Sequence, residues 1–322
     1  MAKTRYAPDR GLTARMTLTM FVLGLVFVAF VVVLVLLLGA SHRVGSGGIV
    51  FFAVLLGVGL GVGSLFYSDK IALSTAKAQV VTPQDGEQAA RVHAIVDRLC
   101  ALANMPKPRV ALSPTRMPNA FATGRNSKTA VLVVTTGLLT STLDDRELEA
   151  VLAHELSHIA HKDVVVMTIA SFIGIIAALL VRFAFYSELF GGGGRGRGGN
   201  NNNGGAIPIV LVVLVVGVVT YAISFLLIRL LSRYRELAAD RSAALLTGQP
   251  SALASALQKV SGSMNAIPVK DLRTAEPLNA FYFIPAFKAN GKQFSLNSLF
   301  STHPSLERRL RQLSEISEQL SR

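Results

Sequence analysis

Four apolar stretches interrupt an otherwise polar chain: Met16–Ala40, Gly48–Tyr67, Val164–Val181 and Ala206–Ile228, none carrying a charged residue. Each is long enough to cross a hydrocarbon core of ~30 Å as a helix. They pair into two hairpins, residues 16–67 and 164–230. The first turns at Ser41–Gly47, and the second at a Gly/Asn-rich tip over 187–205. That tip cannot bury a core and is read as a flexible loop without a site. Inside the second stretch, Gly57/Gly61 and Gly59/Gly63 have the spacing of close helix packing in lipid.

Residues 68–163 and 231–322 have the polar and apolar alternation of folded protein. Ala89, Val92, Ile95, Val96, Leu99 and Ala103 recur at threes and fours, which predicts an amphipathic helix over Gln84–Asn104, ended by Pro106 and Pro108. Arg109–Ser113, Asn119–Thr123 and Thr129–Thr136 read as three short strands separated by turn residues. A further helix starts near Thr142, where Thr142 and Asp145 have capping-box spacing. It meets no helix breaker and can run on through Lys162 and Asp163 into the third apolar stretch. After the fourth stretch the helix continues over Leu231–Leu246. Pro250 starts another, Ser261–Ser301 reads as loop, and Pro304–Leu320 is amphipathic through Leu306, Leu310, Leu313, Ile316 and Leu320. The expected organisation is a basic tail (1–15), a hairpin (16–67), a first catalytic part (68–163), a second hairpin (164–230) and a second catalytic part (231–322). The fold class is an α+β membrane protein, with four transmembrane helices in two hairpins and a mainly helical domain carrying a small β-sheet.

Composition agrees: the 322 residues are 51% hydrophobic, too apolar for an ordinary soluble domain. The net charge of +13 comes without a Lys/Arg run interleaved with aromatics or a finger motif, so no nucleic-acid partner is expected. Lys3, Arg5, Arg10 and Arg15 precede the first stretch, Lys70 and Lys77 follow the second, and Arg229, Arg233, Arg235 and Arg241 follow the fourth. The positive-inside rule then places the termini and both polar blocks in the cytoplasm. The apolar run after the basic tail exceeds a signal-peptide core and is read as an uncleaved anchor. Cys100 is the only cysteine, so no internal disulfide forms; it is read as a small apolar residue.

The chemistry resides in His154-Glu155-Leu156-Ser157-His158. On a helix, residues four apart share a face, so the two imidazoles can grip one Zn²⁺ while the adjacent glutamate acts as general base on water. A catalytic zinc needs a third protein ligand. Glu236 is the best candidate, because it follows the fourth stretch by a few residues as His158 precedes the third. Asp240, one turn later, is placed to orient a ligand histidine. Asn119, Ala120 and Phe121, on an edge strand, can bind an extended peptide by strand addition. His161 is expected to face solvent or headgroups, and His93 and His42 to be structural or exposed.

With HELSH at 154–158, ELAAD at 236–240, NAFATG at 119–124 and THPSLERR at 302–309, the chain resembles the HtpX-type membrane zinc proteases, relatives of the CAAX prenyl-protein endopeptidases. The resemblance covers most of the chain, including the order of hairpins around the catalytic helices. It implies a gluzincin catalytic domain, one Zn²⁺ per chain and endoproteolysis of membrane or misfolded proteins. It also implies a multi-pass location in a bacterial inner membrane, a stress-response role in quality control, and other membrane quality-control proteases as candidate partners. By position it assigns His154, His158 and Glu236 as ligands, Glu155 as base and Asp240 as a residue behind the ligands. It further assigns His303 as a catalytic aid to the oxyanion and Arg309 as a cleft residue, although Arg309 also reads as a solvated charge on an amphipathic helix. The 187–205 tip matches no motif of the family.

Three rivals are weighed. A site-2-type intramembrane protease also uses H-E-x-x-H, but Asp144, Asp145, Arg146, Glu147 and Glu149 on the same helix place this site outside hydrocarbon. An inactive membrane scaffold is disfavoured by the intact base and ligands. A transporter is disfavoured because no intramembrane charge pair or broken-helix pair is visible.

Overall fold

The computed structural model describes residues 10–40, 66–126, 128–171, 209–265 and 303–322, with scattered positions between 55 and 63 and between 175 and 182. The expected turns at 41–47 and 187–205 lie outside them, as do His42, Gly57, Gly61 and residues 266–301 of the expected loop at Ser261–Ser301; residues 261–265 of that loop are helical instead. The chain divides into two compact units: Met1–Met16, Leu65–Val166 and Arg229–Arg322 form one, Thr17–Ser64 and Met167–Ile228 the other.

The described residues of the second unit are apolar helix. Two helices, α1 (Arg10–Ala40) and the later α5 (Ile209–Thr247), contain segments long and apolar enough to cross a membrane, Thr13–Val33 and Leu214–Thr247. Leu18, Phe21 and Leu36 on α1, and Val215, Val218 and Tyr221 on α5, are exposed. Such rows of bare apolar side chains suit lipid and not water. Among the described residues, a methyl group built on Gly59 or Gly63 meets nothing within 4 Å.

The first unit is mainly helical with one four-stranded sheet, ordered β1-β2-β4-β3. Its strands are β1 (Gln79–Val80), β2 (Arg109–Ser113), β3 (Ala120–Thr123) and β4 (Val131–Thr135). Three of these match the expected segments, and β1 is an addition. It is two residues long, too short to show an alternation. Val131-Leu132-Val133-Val134 is a continuous apolar run, and the strand is buried throughout, Thr135 included, as a central strand covered on both faces must be. It pairs in parallel with β2, Arg109 opposite Val131, and antiparallel with β3, Ala120 opposite Val134. Alternate residues face opposite sides. Val131 and Val133 join Ala72, Ala76, Ala111 and Phe121 on one side. Leu132 and Val134 join the main core on the other.

The main core is built by helices α2 (Glu87–Ala103), α4 (Asp145–Ala160), α6 (Pro250–Asn265) and α7 (Leu306–Leu320). They contribute Val96 and Leu99, Val151 and Leu152, Leu253 and Leu257, and Leu313 and Ile316 respectively. A short helix, α3 (Thr136–Leu139), leaves β4. Its Gly137 packs so closely on the chain that an added Cβ would lie 2.0 Å from the Arg116 carbonyl oxygen.

Two boundaries of α4 differ from expectation. Its N-cap is Asp144, not Thr142. The Asp144 carboxylate accepts from the Glu147 amide at 2.8 Å, and Glu147 accepts from the Asp144 amide at 2.9 Å. Asp144/Glu147 and Thr142/Asp145 have the same spacing, and the carboxylate pair takes the box because Glu147 is also held by Lys259 at 2.7 Å. The C-terminal end is a break. Lys162 adopts the left-handed conformation, φ 56°, and a separate helical segment resumes at residue 163. The motif helix therefore does not continue into the third apolar stretch.

Candidate metal centre and active site

Helix α4 is buried almost throughout, from Glu147 to Ser157, which holds His154 and His158 on one fixed face. The two Nε2 atoms stand 3.2 Å apart. Helix α5 brings Glu236 opposite them. Glu236 Oε2 is 3.7 Å from His154 Nε2, and Oε1 is 3.6 Å from His158 Nε2. One ligand atom from each residue lies within 4.8 Å of the others. Two atoms each 2.0–2.1 Å from a tetrahedral zinc are about 3.4 Å apart. Two imidazole nitrogens and one carboxylate at these separations fit such an ion.

The other ring nitrogens are engaged from behind. His154 Nδ1 lies 2.9 Å from Asp240 Oδ1. The Arg309 guanidinium donates to Asp240 in a fork, Nε to Oδ2 at 2.7 Å and Nη2 to Oδ1 at 2.6 Å. His158 Nδ1 lies 2.6 Å from Asp163 Oδ2, and Arg235 Nη2 approaches the same oxygen at 2.9 Å. With both Nδ1 atoms occupied by carboxylates, both Nε2 atoms are left to face Glu236. Asp163 and Arg235 were not singled out from the sequence. The signal was an aspartate at the border of an apolar run, where a charge is costly without a partner.

His303, just ahead of α7, is buried, with Nδ1 3.1 Å from Glu236 Oε2. Arg309 is only 2% exposed, so it is not the solvated helix charge that was one of its two readings. Its fork to Asp240 uses Nε and Nη2, and Nη1 lies 3.8 Å from Glu236 Oε2. His161, expected at solvent or headgroups, is half-buried, and burial pushes its imidazole pKa down. His93 is structural: Nε2 lies 2.9 Å from the Val81 carbonyl.

Burial governs the electrostatics. Glu155 is buried, and desolvation raises its carboxyl to about 8 against the opposing pull of His158. Burial would also raise Glu236, but His303 beside it, then His158 and His154, hold it well below the ordinary carboxylate range. Asp163 is likewise pushed up by burial and pulled down further by Arg235 and His158, to about 2. Glu155 is thus the carboxyl poised to hold a proton near neutrality, and Glu236 and Asp163 are the fixed anions.

Of the expected peptide-binding residues, Asn119 is buried and its backbone is bound to Thr135. Its amide donates to Thr135 Oγ1 at 2.9 Å, and its carbonyl accepts from the Thr135 amide at 3.0 Å. The side chains of Ala120 and Phe121 are buried in the two apolar clusters. These three residues are as buried as Glu155. Strand alternation does turn the Ala120 and Ala122 amides to the edge away from β4, and the Ala122 backbone hydrogen-bonds to Glu155.

The model of peptidase family M48 matches residues 86–317, a span that contains every residue of this site. A protease HtpX homolog of Streptomyces coelicolor is 53% identical over 318 residues, covering 99% of this chain and 97% of its own. One from Moorella thermoacetica is 49% identical over 313 residues, covering 97% and 96%. One from Pyrococcus furiosus is 38% identical over 286 residues, covering 88% and 92%. Among solved structures, S. mikatae Ste24p matches 95% of this chain and 66% of its own, at 19% identity and a TM-score of 0.47. The chain belongs to peptidase family M48 and is a membrane-associated metalloprotease of the HtpX type.

Proposed function

We propose that the chain is a zinc endopeptidase holding one ion on His154, His158 and Glu236, with Glu155 as general base. The convergence of those three side chains, with separations of 3.2, 3.7 and 3.6 Å between their ligand atoms, is the observation that carries the proposal. A zinc ion bound there supplies Lewis acidity, acidifying water and polarising a carbonyl. The protein's own groups do the rest. Glu155, ionised where the charge of a bound zinc offsets its burial, would take a proton from the attacking water and later hand it to the leaving amine. Asp240 and Asp163 orient the two imidazoles. His303 steadies charge developing on the carbonyl oxygen. The β3 edge accepts an extended peptide by main-chain pairing, so selection depends on accessible backbone more than on side chains.

The rest of the proposal is cellular. The four apolar stretches form two transmembrane hairpins, the site faces the cytoplasm, and the substrates are misfolded or damaged membrane proteins met under stress. The charged residues along α4 and the arginines after the fourth stretch support this placement.

The test is a reconstitution in proteoliposomes with a one-span substrate bearing an unfolded polar segment. Mass spectrometry of the products should place the cut in the polar segment, and chelation should stop it. A cut inside the substrate's apolar span would favour the intramembrane alternative.

A further inference from the structure

Asp163 lies five residues beyond His158. On an uninterrupted α-helix such residues point about 140° apart and cannot meet. They meet here, at 2.6 Å, because the helix breaks between them: α4 ends at Ala160, His161 caps it, and Lys162 takes the left-handed conformation, φ 56°. Lysine rarely adopts that conformation, and neither glycine nor asparagine supplies it here. A residue held this way requires compensation from its surroundings. The contact made just after it, between the buried Asp163 carboxylate and the half-buried His158 imidazole, is the compensation visible in the structure.

That contact repeats one already described. His154 is backed by Asp240, which is held by Arg309. His158 is backed by Asp163, which is held by Arg235. The two Arg–Asp–His relays are built from different parts of the chain. They also cross: the aspartate behind His154 stands on α5, and the arginine behind Asp163 stands on α5 next to Glu236. Each relay thus ties a histidine of α4 to the helix that carries Glu236.

We infer that Asp163, delivered by the break at Lys162 and locked by Arg235, is a positioning residue for His158. It fixes the imidazole with Nε2 directed at the metal and holds α4 and α5 at the separation the ion requires. This rests on His158 and Glu236 being metal ligands. A charge at the edge of the third apolar stretch is thereby explained by the site rather than by the membrane.

The experiment measures zinc affinity, by chelator competition, and unfolding of the metal-free form, both on the full chain in detergent. Wild type is compared with Asp163→Ala, Asp163→Asn and Arg235→Gln. Asp163→Ala should weaken zinc binding by about 10–100-fold. Asp163→Asn, whose amide oxygen still accepts from Nδ1–H, should fall between Asp163→Ala and wild type. Metal-free stability should fall by similar amounts in Asp163→Ala and Asp163→Asn, since each leaves Arg235 without its anion, while zinc affinity separates the two. Zinc affinity within twofold of wild type in Asp163→Ala overturns the inference. So does a loss that Asn does not rescue and that tracks lowered metal-free stability, since that marks a merely structural ion pair. If Asp163→Ala does not accumulate, Asp163→Asn and Arg235→Gln are judged by the same two readouts. A wild type that binds no zinc refutes the metal site itself, a separate result from zinc-bound wild type and equally zinc-bound variants.

Discussion

Glu155→Gln should lower peptide hydrolysis by about 10²–10⁴-fold without releasing zinc or weakening the fold. Glutamine matches glutamate in shape and keeps a carbonyl oxygen to accept from the Ala122 backbone, but it cannot take a proton. Glu155 is 4% exposed, and burial already lifts its carboxyl to about 8. Its ionised form is therefore costly in the folded state, and a neutral amide removes that cost. Thermal unfolding of the variant should match or exceed that of wild type. The check is hydrolysis of an unfolded membrane substrate by highly purified preparations, normalised to bound zinc. Equal rates would leave the fold without its enzyme and revive the scaffold alternative.

Arg309→Ala should cost about 3–5 kcal/mol of stability, because it strands a buried carboxylate. Arg309 and Asp240 are both buried, and the fork between them uses two nitrogens at 2.7 and 2.6 Å. Burial would raise Asp240, and Arg309, then His154, hold it down. Without the guanidinium, Asp240 must take up a proton or remain charged without compensation. In either case it ceases to be a fixed anion behind His154, so weaker zinc binding should accompany the loss of stability. Arg309→Lys keeps the charge but not the planar fork, and should lie between. Denaturant unfolding in detergent measures both. A loss below about 1 kcal/mol for Arg309→Ala would mean that the pair behaves as a solvent-screened one.

Much of this site was legible because helical spacing encodes it. H-E-x-x-H places His154 and His158 on one face, and Glu236 with Asp240 repeats the same four-residue step. Strands β2, β3 and β4 were legible from apolar runs between turn residues. The missed features depend on tertiary structure or on backbone conformation that composition does not signal. Asp163 lies at a spacing that a continuous helix forbids, and nothing about a lysine announces the left-handed turn that makes the contact possible. Arg235 reads as one of several arginines after an apolar stretch, and only packing shows that it faces Asp163. The N-cap went to Asp144 because Lys259, over a hundred residues away, completes the box. Phe121 was placed at the substrate by strand addition and Arg309 at the cleft by resemblance. Their burial in a core cluster and in an ion pair is decided by neighbours from other segments.

Side chains from α4 and α5, far apart in sequence, are proposed to hold one ion. Zinc content per chain, measured on wild type and Glu236→Ala purified side by side, tests this most directly. Near one equivalent in wild type and a small fraction of that in the variant is the expected result. Full zinc in Glu236→Ala, or none in wild type, would contradict it.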